Sequence, residues 1–68
     1  MKDFKVLITS PPDREKIVAE IWFLNNLIAE INQDSEEFEI DLYPNQGLTF
    51  RLDDLLSVLE VAKKKLRE

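Results

Sequence analysis

The stretch at residues 17–31, IVAEIWFLNNLIAEI, constrains the fold of this chain more than any other part of the sequence. It is the longest apolar-rich run, it holds the only tryptophan, and it contains the triplet Ala-Glu-Ile twice. These residues can form either one long helix or a β-hairpin that turns at Asn25 and Asn26. The choice between the two determines the fold class.

The helix is favoured by an apolar stripe whose members recur at spacings of four and three residues. The stripe consists of Ile17, Ile21, Leu24, Ile28 and Ile31. However, Trp22, Phe23 and Leu27 lie off this stripe, so the helix would be apolar almost all round. A chain of 68 residues has too small a core to bury such a helix.

The hairpin divides the same residues more cleanly. We place residues 24–26 in a three-residue loop, with Asn26 in the left-handed region that asparagine tolerates. One face then carries apolar side chains alone: Ile17, Ala19, Ile21, Phe23, Leu27, Ala29 and Ile31. The other face carries Val18, Glu20, Trp22, Ile28, Glu30 and Asn32. A shift of one residue would destroy this division, so the hairpin is the favoured interpretation.

Two further segments alternate as strands do. In residues 4–9 the side chains of Phe4, Val6 and Ile8 share one face. The prolines in residues 10–13 end this strand, and the segment suits either a loop or the start of a helix. In residues 38–43 the core-facing side chains are Phe38, Ile40 and Leu42, and the outward ones are Glu39, Asp41 and Tyr43.

The C-terminal part begins with a turn at residues 44–47, which hold the only glycine. Residues 48–52 form a short strand or an extended lead-in, and from Asp53, the expected N-cap, the apolar period becomes that of a helix. The sequence therefore predicts a single α+β domain over residues 1–68. It is an antiparallel β-meander of four to five strands with one C-terminal helix packed on one face. The alternative is a β-α-β-β-α fold with a helix at residues 13–33.

Charge is distributed unevenly along the chain. The net charge is −5, yet residues 17–50 contain seven acids and no lysine or arginine, a net of −7. The two ends carry nine basic residues and seven acids, a net of +2. An acidic surface repels phosphate and anionic lipid and attracts basic proteins. We therefore expect no nucleic-acid or membrane partner, and a basic protein partner instead.

The residue types argue against catalysis. The chain has no cysteine and no histidine, which removes disulfides, thiolate metal sites, the commonest general base and the commonest transition-metal ligand. Glu20 and Glu30 can lie opposite each other, but exposed acids on an outer face are the ordinary interpretation of such a pair. We predict a non-enzymatic cytoplasmic protein without metal or cofactor.

The outer face of the predicted sheet stands out, because it combines aromatic side chains with acids. Aromatic residues are typical anchors at protein interfaces, and surrounding acids orient a basic partner. The predicted contact residues are Glu20, Trp22, Glu30, Glu39, Asp41 and Tyr43. The alternatives for this face are a homodimer contact and an amphipathic surface without a role.

Four segments of the chain resemble the layout of a group of small uncharacterised bacterial proteins. The segments are ITSPPDREKIVAEI (8–21), AEINQ (29–33), IDLYP (40–44) and LDDLLSVLEVAKKKL (52–66). In its small size and acidity the chain resembles the immunity proteins of contact-dependent growth inhibition systems. That resemblance implies a protein that binds and blocks a toxin domain. A basic nuclease domain is the matching partner, with a homo-oligomer as the alternative.

Overall fold

The computed structural model describes residues 3–13, 15–33, 35–43 and 47–68. In these residues four strands form one antiparallel sheet in chain order, with a helix packed on one side. The elements are β1 (Phe4–Thr9), β2 (Val18–Phe23), β3 (Asn26–Asn32), β4 (Glu39–Leu42) and α1 (Leu52–Arg67). The predicted α+β meander with a C-terminal helix is confirmed in its four-stranded form.

The central run forms a hairpin, so the alternative with a helix at residues 13–33 is wrong. The loop is shorter than predicted, because Phe23 pairs with Asn26 and leaves only Leu24 and Asn25 between the strands. Leu24, rather than Asn26, has a positive φ, of 56°. Tight hairpin loops need such a residue, since positive φ makes the turn compatible with the twist of the strands.

A β-bulge in β3 compensates for the short loop. Ile21 pairs with Ala29 as predicted, but Trp22 pairs with Leu27. Ile28 is therefore the extra residue of the bulge and has no opposite residue on β2. Ile28 is 8% exposed and belongs to the core, while Leu27 lies opposite Trp22 and outside the core cluster. The predicted positions of Leu27 and Ile28 are therefore exchanged, because the two-residue turn shifts the pairing and the bulge restores it.

Helix α1 lies over β1 and β2 and buries Val58, Ala62 and Leu66 against them. It starts two residues earlier than an N-cap at Asp53 predicts, after Arg51, whose side chain makes no capping hydrogen bond. The prediction of Asp53 as the N-cap is therefore wrong. Acids in the first turn and basic residues in the last still complement the helix dipole: Asp53 and Asp54, then Lys64, Lys65 and Arg67.

Three phenylalanines close one end of the core. Phe23 lies 4.9 Å from both Phe4 and Phe50, and Phe4 lies 5.2 Å from Phe50, measured between ring centroids. Phe50 lies in residues 48–52, where the sequence predicts either a short strand or an extended lead-in. Residues 48–51 form no strand and are an irregular lead-in to α1. The core still gains the side chains of Leu48 and Phe50 from this lead-in.

Four apolar residues of the predicted strands are exposed although the sequence predicts that they face the core. Ile8 of β1 is 39% exposed. Ile17 precedes β2 and is 38% exposed. Ile40 and Leu42 are on the same side of the sheet as α1, since they pair with Ile31 and Ala29, but they are 44% and 75% exposed. They are exposed because α1 covers β1 and β2 and leaves β4 uncovered.

Two connections between elements fall partly outside the described residues. In the predicted turn at residues 44–47, residues 44–46 lie outside them, and Gly47 has a φ of 57°, which suits glycine. In the connection from β3 to β4, residue 34 lies outside them. In the described part of that connection, the Ser35 hydroxyl donates to the Glu37 carbonyl and accepts from the Glu37 N–H.

Candidate functional site

The side of the sheet opposite α1, which we call the outer face, carries all the predicted contact residues. Glu20 and Trp22 come from β2, Glu30 from β3, and Glu39 and Asp41 from β4. Tyr43 follows β4 directly and continues its alternation, and its hydroxyl reaches Glu30. Alternation along each antiparallel strand therefore brings together side chains that are up to 23 positions apart in the sequence.

Three carboxylates form a line across the middle of this face. Glu30 pairs with Glu20 on one side and with Asp41 on the other. We call Glu20, Glu30 and Asp41 the acidic row. Neighbouring strands are about 4.8 Å apart, so the three negative charges lie side by side on adjacent strands. Leu7 of β1 lies opposite Glu20 and ends the row on an apolar side chain.

Each carboxylate of the acidic row accepts a hydrogen bond from a neighbouring side chain. The Trp22 indole Nε1 donates to Glu20 Oε1 at 3.2 Å. The Tyr43 hydroxyl donates to Glu30 Oε1 at 3.4 Å, and Asn32 Nδ2 donates to Asp41 Oδ2 at 3.0 Å. These bonds orient the acids and hold the two aromatic rings beside them.

Burial divides the site into a fixed centre and an accessible rim. Glu30 is 7% exposed and Asn32 is 3% exposed, so both lie under the surrounding side chains. Glu20 and Trp22 are half-buried, whereas the remaining contact residues are exposed: Glu39, Asp41 and Tyr43. A cation that approaches this face meets the rim carboxylates first and the charge of Glu30 beneath them. Such an arrangement suits guanidinium or ammonium groups, which carry several donors and one positive charge.

Besides Asn32, the outer face also includes Lys5, Leu7 and Leu27, which were not predicted as contacts. Lys5 lies opposite Trp22, so a positive charge lies on the β1 side of the outer face. Leu7 is 36% exposed, and Leu27 lies opposite Trp22. The alternation of residues 4–9 identifies Lys5 and Leu7, because both lie between the core-facing positions. Nothing in the sequence indicates Leu27, because the bulge decides its position.

Other kinds of site find little support in the part of the chain that is described. No group of three or more acids, cysteines or histidines there could hold a metal ion. Among the described residues, no helix has both the length and the apolar character that crossing a membrane requires. Comparisons with protein-family models, curated proteins and solved structures found no match to this chain.

Proposed function

We propose that this chain is a non-enzymatic binding module whose outer face holds a basic protein. The acidic row supports this proposal best: Glu20, Glu30 and Asp41 are neighbours on three adjacent strands. Like charges in directly opposed positions destabilise a sheet, so such an arrangement costs folding free energy. A cationic partner would neutralise the row and recover that free energy on binding.

The aromatic residues give this face its anchors. Trp22 is half-buried and Tyr43 is 38% exposed, so both present ring surface while their polar atoms bond to the acidic row. A side chain that is already held in one conformation loses less entropy when a partner covers it. Tryptophan and tyrosine are also among the residues that contribute most at protein interfaces.

The class of partner that we propose is a toxin domain, and the proposed role is that of an immunity protein in the cytoplasm of the producing cell. A nuclease toxin fits the charge, since it needs a basic surface to hold its polyanionic substrate. An acidic inhibitor covers that surface and is steered toward it. The loose resemblance to immunity proteins and the acidic stretch at residues 17–50 support this finer proposal.

A homo-oligomer that uses the same face is the alternative. Face-to-face contact of two copies would bring two acidic rows together, which disfavours it electrostatically. Sedimentation at low micromolar concentration separates the two proposals. A monomer agrees with partner binding, whereas a stable dimer without any partner supports the oligomer.

Co-expression with a captured partner tests the proposed function. The domain is immobilised, a basic partner is isolated from the source cell, and that partner is then expressed in a heterologous host. If it is a toxin, the wild-type domain should restore growth and the double variant E20Q/D41N should not. The matched control is E36Q/E37Q, which removes two negative charges from an exposed loop away from the outer face. Equal protection by both double variants would contradict the site.

A further inference from the structure

Among the described residues, β4 is an edge strand that pairs only with β3, so part of its backbone faces the edge of the sheet. The Tyr43 N–H donates to the Ile28 carbonyl at 3.0 Å, so the backbone of Tyr43 is directed toward β3. Antiparallel ladders alternate, and every second residue directs its N–H and C=O away from the partner strand. In β4 those residues are Ile40 and Leu42, whose backbone groups therefore point to the open edge.

An apolar groove runs beside this edge, between β4 and α1. Its wider part, of about 380 Å³, is lined on the strand side by Ile40 and Leu42 and on the helix side by Leu55 and Leu59. A second part of about 270 Å³ shares Ile40 and Leu59 and extends toward Phe38. This part is more polar, because its lining also includes the charged residues Glu39, Glu60 and Lys63. Exposed apolar edges invite pairing with another strand, and native proteins usually blunt them.

The two sides of β4 differ in chemistry. Glu39 and Asp41 project on the outer face, where Glu30 adds its charge next to Asp41. Ile40 and Leu42 project on the groove side. Lys63 of α1 lines the groove together with Glu39, but residues 17–50 contain no lysine or arginine, so the strands β2, β3 and β4 offer Asp41 no positive charge. An added strand that complements β4 would therefore alternate basic and apolar side chains.

We infer that the β4 edge binds an extended segment of the partner in which basic and apolar residues alternate. Main-chain hydrogen bonds would form to Ile40 and Leu42, as in other cases of strand addition. The basic side chains would lie against Glu39 and Asp41, and the apolar ones would enter the groove. This inference rests on the proposed function in one respect, namely that the partner is basic, and it adds how the partner docks.

A second copy of the chain fits this edge poorly in the registers centred on Ile40 and Asp41. Antiparallel pairing about a two-fold axis at Asp41 would set Asp41 against the same residue of the other copy. An axis at Ile40 would set Glu39 against Asp41. Both registers oppose like charges, which are unfavourable cross-strand pairs.

The experiment uses the ¹⁵N-labelled protein and two synthetic nine-residue peptides of lysine and valine. In one peptide the two residues alternate, and in the other the same residues are grouped in two blocks. We expect the alternating peptide to slow amide hydrogen exchange at Ile40 and Leu42 at least tenfold at saturation. The blocked peptide should leave those two amides unchanged.

Variants of two exposed leucines supply a matched control. L42K should weaken binding of the alternating peptide at least tenfold, because it places a charge at the groove. L56K changes a leucine of α1 that is 51% exposed and does not line the groove, so the affinity should stay as in the wild type. Both sites are exposed, which keeps the fold intact.

Three outcomes would overturn the inference: no binding of the alternating peptide, equal effects of both peptides, or protection at β1 instead of β4. None of them touches the proposed function, because the peptide experiment does not involve the partner protein. Conversely, a partner whose affinity is unchanged by substitutions in the acidic row would contradict the proposed function, even if the peptide pairs with β4.

Discussion

Glu20 and Glu30 lie directly opposite each other on β2 and β3, and each accepts a hydrogen bond from an aromatic side chain. Trp22 donates to the first and Tyr43 to the second. The next strand adds Asp41 beside Glu30, so three negative charges occupy neighbouring positions. Because opposed like charges destabilise a sheet, this face lowers the stability of the free protein. A bound cation would reduce this repulsion, so the same arrangement favours cation binding.

Neutralising the middle of the acidic row should stabilise the free protein. Glu30→Gln keeps the size and an amide oxygen for the Tyr43 hydroxyl while it removes the central charge. We expect the free energy of unfolding to rise by about 0.5–1 kcal/mol at low ionic strength, the range typical of opposed charge pairs. Urea denaturation at pH 7 measures this change, and added salt should reduce it.

The control for this variant is Glu36→Gln, which removes the same charge from an exposed loop. Surface substitutions of this kind usually change stability by less than about 0.5 kcal/mol. If Glu30→Gln proves less stable than the wild type, Glu30 contributes more through its contacts than it costs through repulsion. The interpretation of the acidic row as strained would then be wrong.

Leu24 should limit the stability of the hairpin. Its φ of 56° falls in the left-handed region, which costs a residue with a Cβ atom about 1–2 kcal/mol. Leu24→Gly removes that cost, partly offset by the greater entropy of glycine in the unfolded chain. We expect a net gain of about 0.5 kcal/mol in the free energy of unfolding.

Asn25→Gly is the comparison for the hairpin, because Asn25 shares the loop but is not among the residues with positive φ. This variant should show no gain and a small loss, since only the entropy of the unfolded chain changes. Thermal unfolding of both variants side by side distinguishes them. Equal melting temperatures would mean that the left-handed conformation of Leu24 costs little.

Val58 should be essential to the packing of α1 on the sheet. It is completely buried in α1 and belongs to the same core cluster as the buried residues of β2 and β3. Val58→Ala leaves a cavity and should cost about 2 kcal/mol, a large share of the stability of so small a domain. Leu56→Ala deletes a larger side chain that is 51% exposed, and we expect it to cost less than about 0.5 kcal/mol. Chemical denaturation measures both, and equal losses would contradict the placement of α1.

The sequence was sufficient to predict the sheet because apolar and polar residues alternate along its strands, with one face apolar and the other largely polar. The pairing of Ile21 with Ala29 and the grouping of the six predicted contact residues on the outer face both follow from that alternation. Opposite faces of one strand differ so strongly in polarity that a register shift would bury charge. The helical period of the C-terminal segment is equally clear.

The errors occur where tertiary packing decides the outcome. No local pattern indicates that Leu24 adopts a positive φ, since leucine rarely does so, and the bulge at Ile28 follows from that turn. The exposure of Leu42 depends on which strands α1 covers, and periodicity does not determine that. Phe50 enters the core from an irregular segment, because Phe4 and Phe23 lie at that end of the sheet.

The affinity of the captured basic partner for Trp22→Ala tests the central claim most directly. Isothermal titration should show a loss of about 2 kcal/mol, or about 30-fold in Kd, if Trp22 anchors the interface. Leu52→Ala removes an apolar side chain that is 67% exposed on α1, and it should bind as the wild type does. Circular dichroism confirms that both variants are folded. An unchanged Kd for folded Trp22→Ala would contradict the claim that the outer face is the binding site.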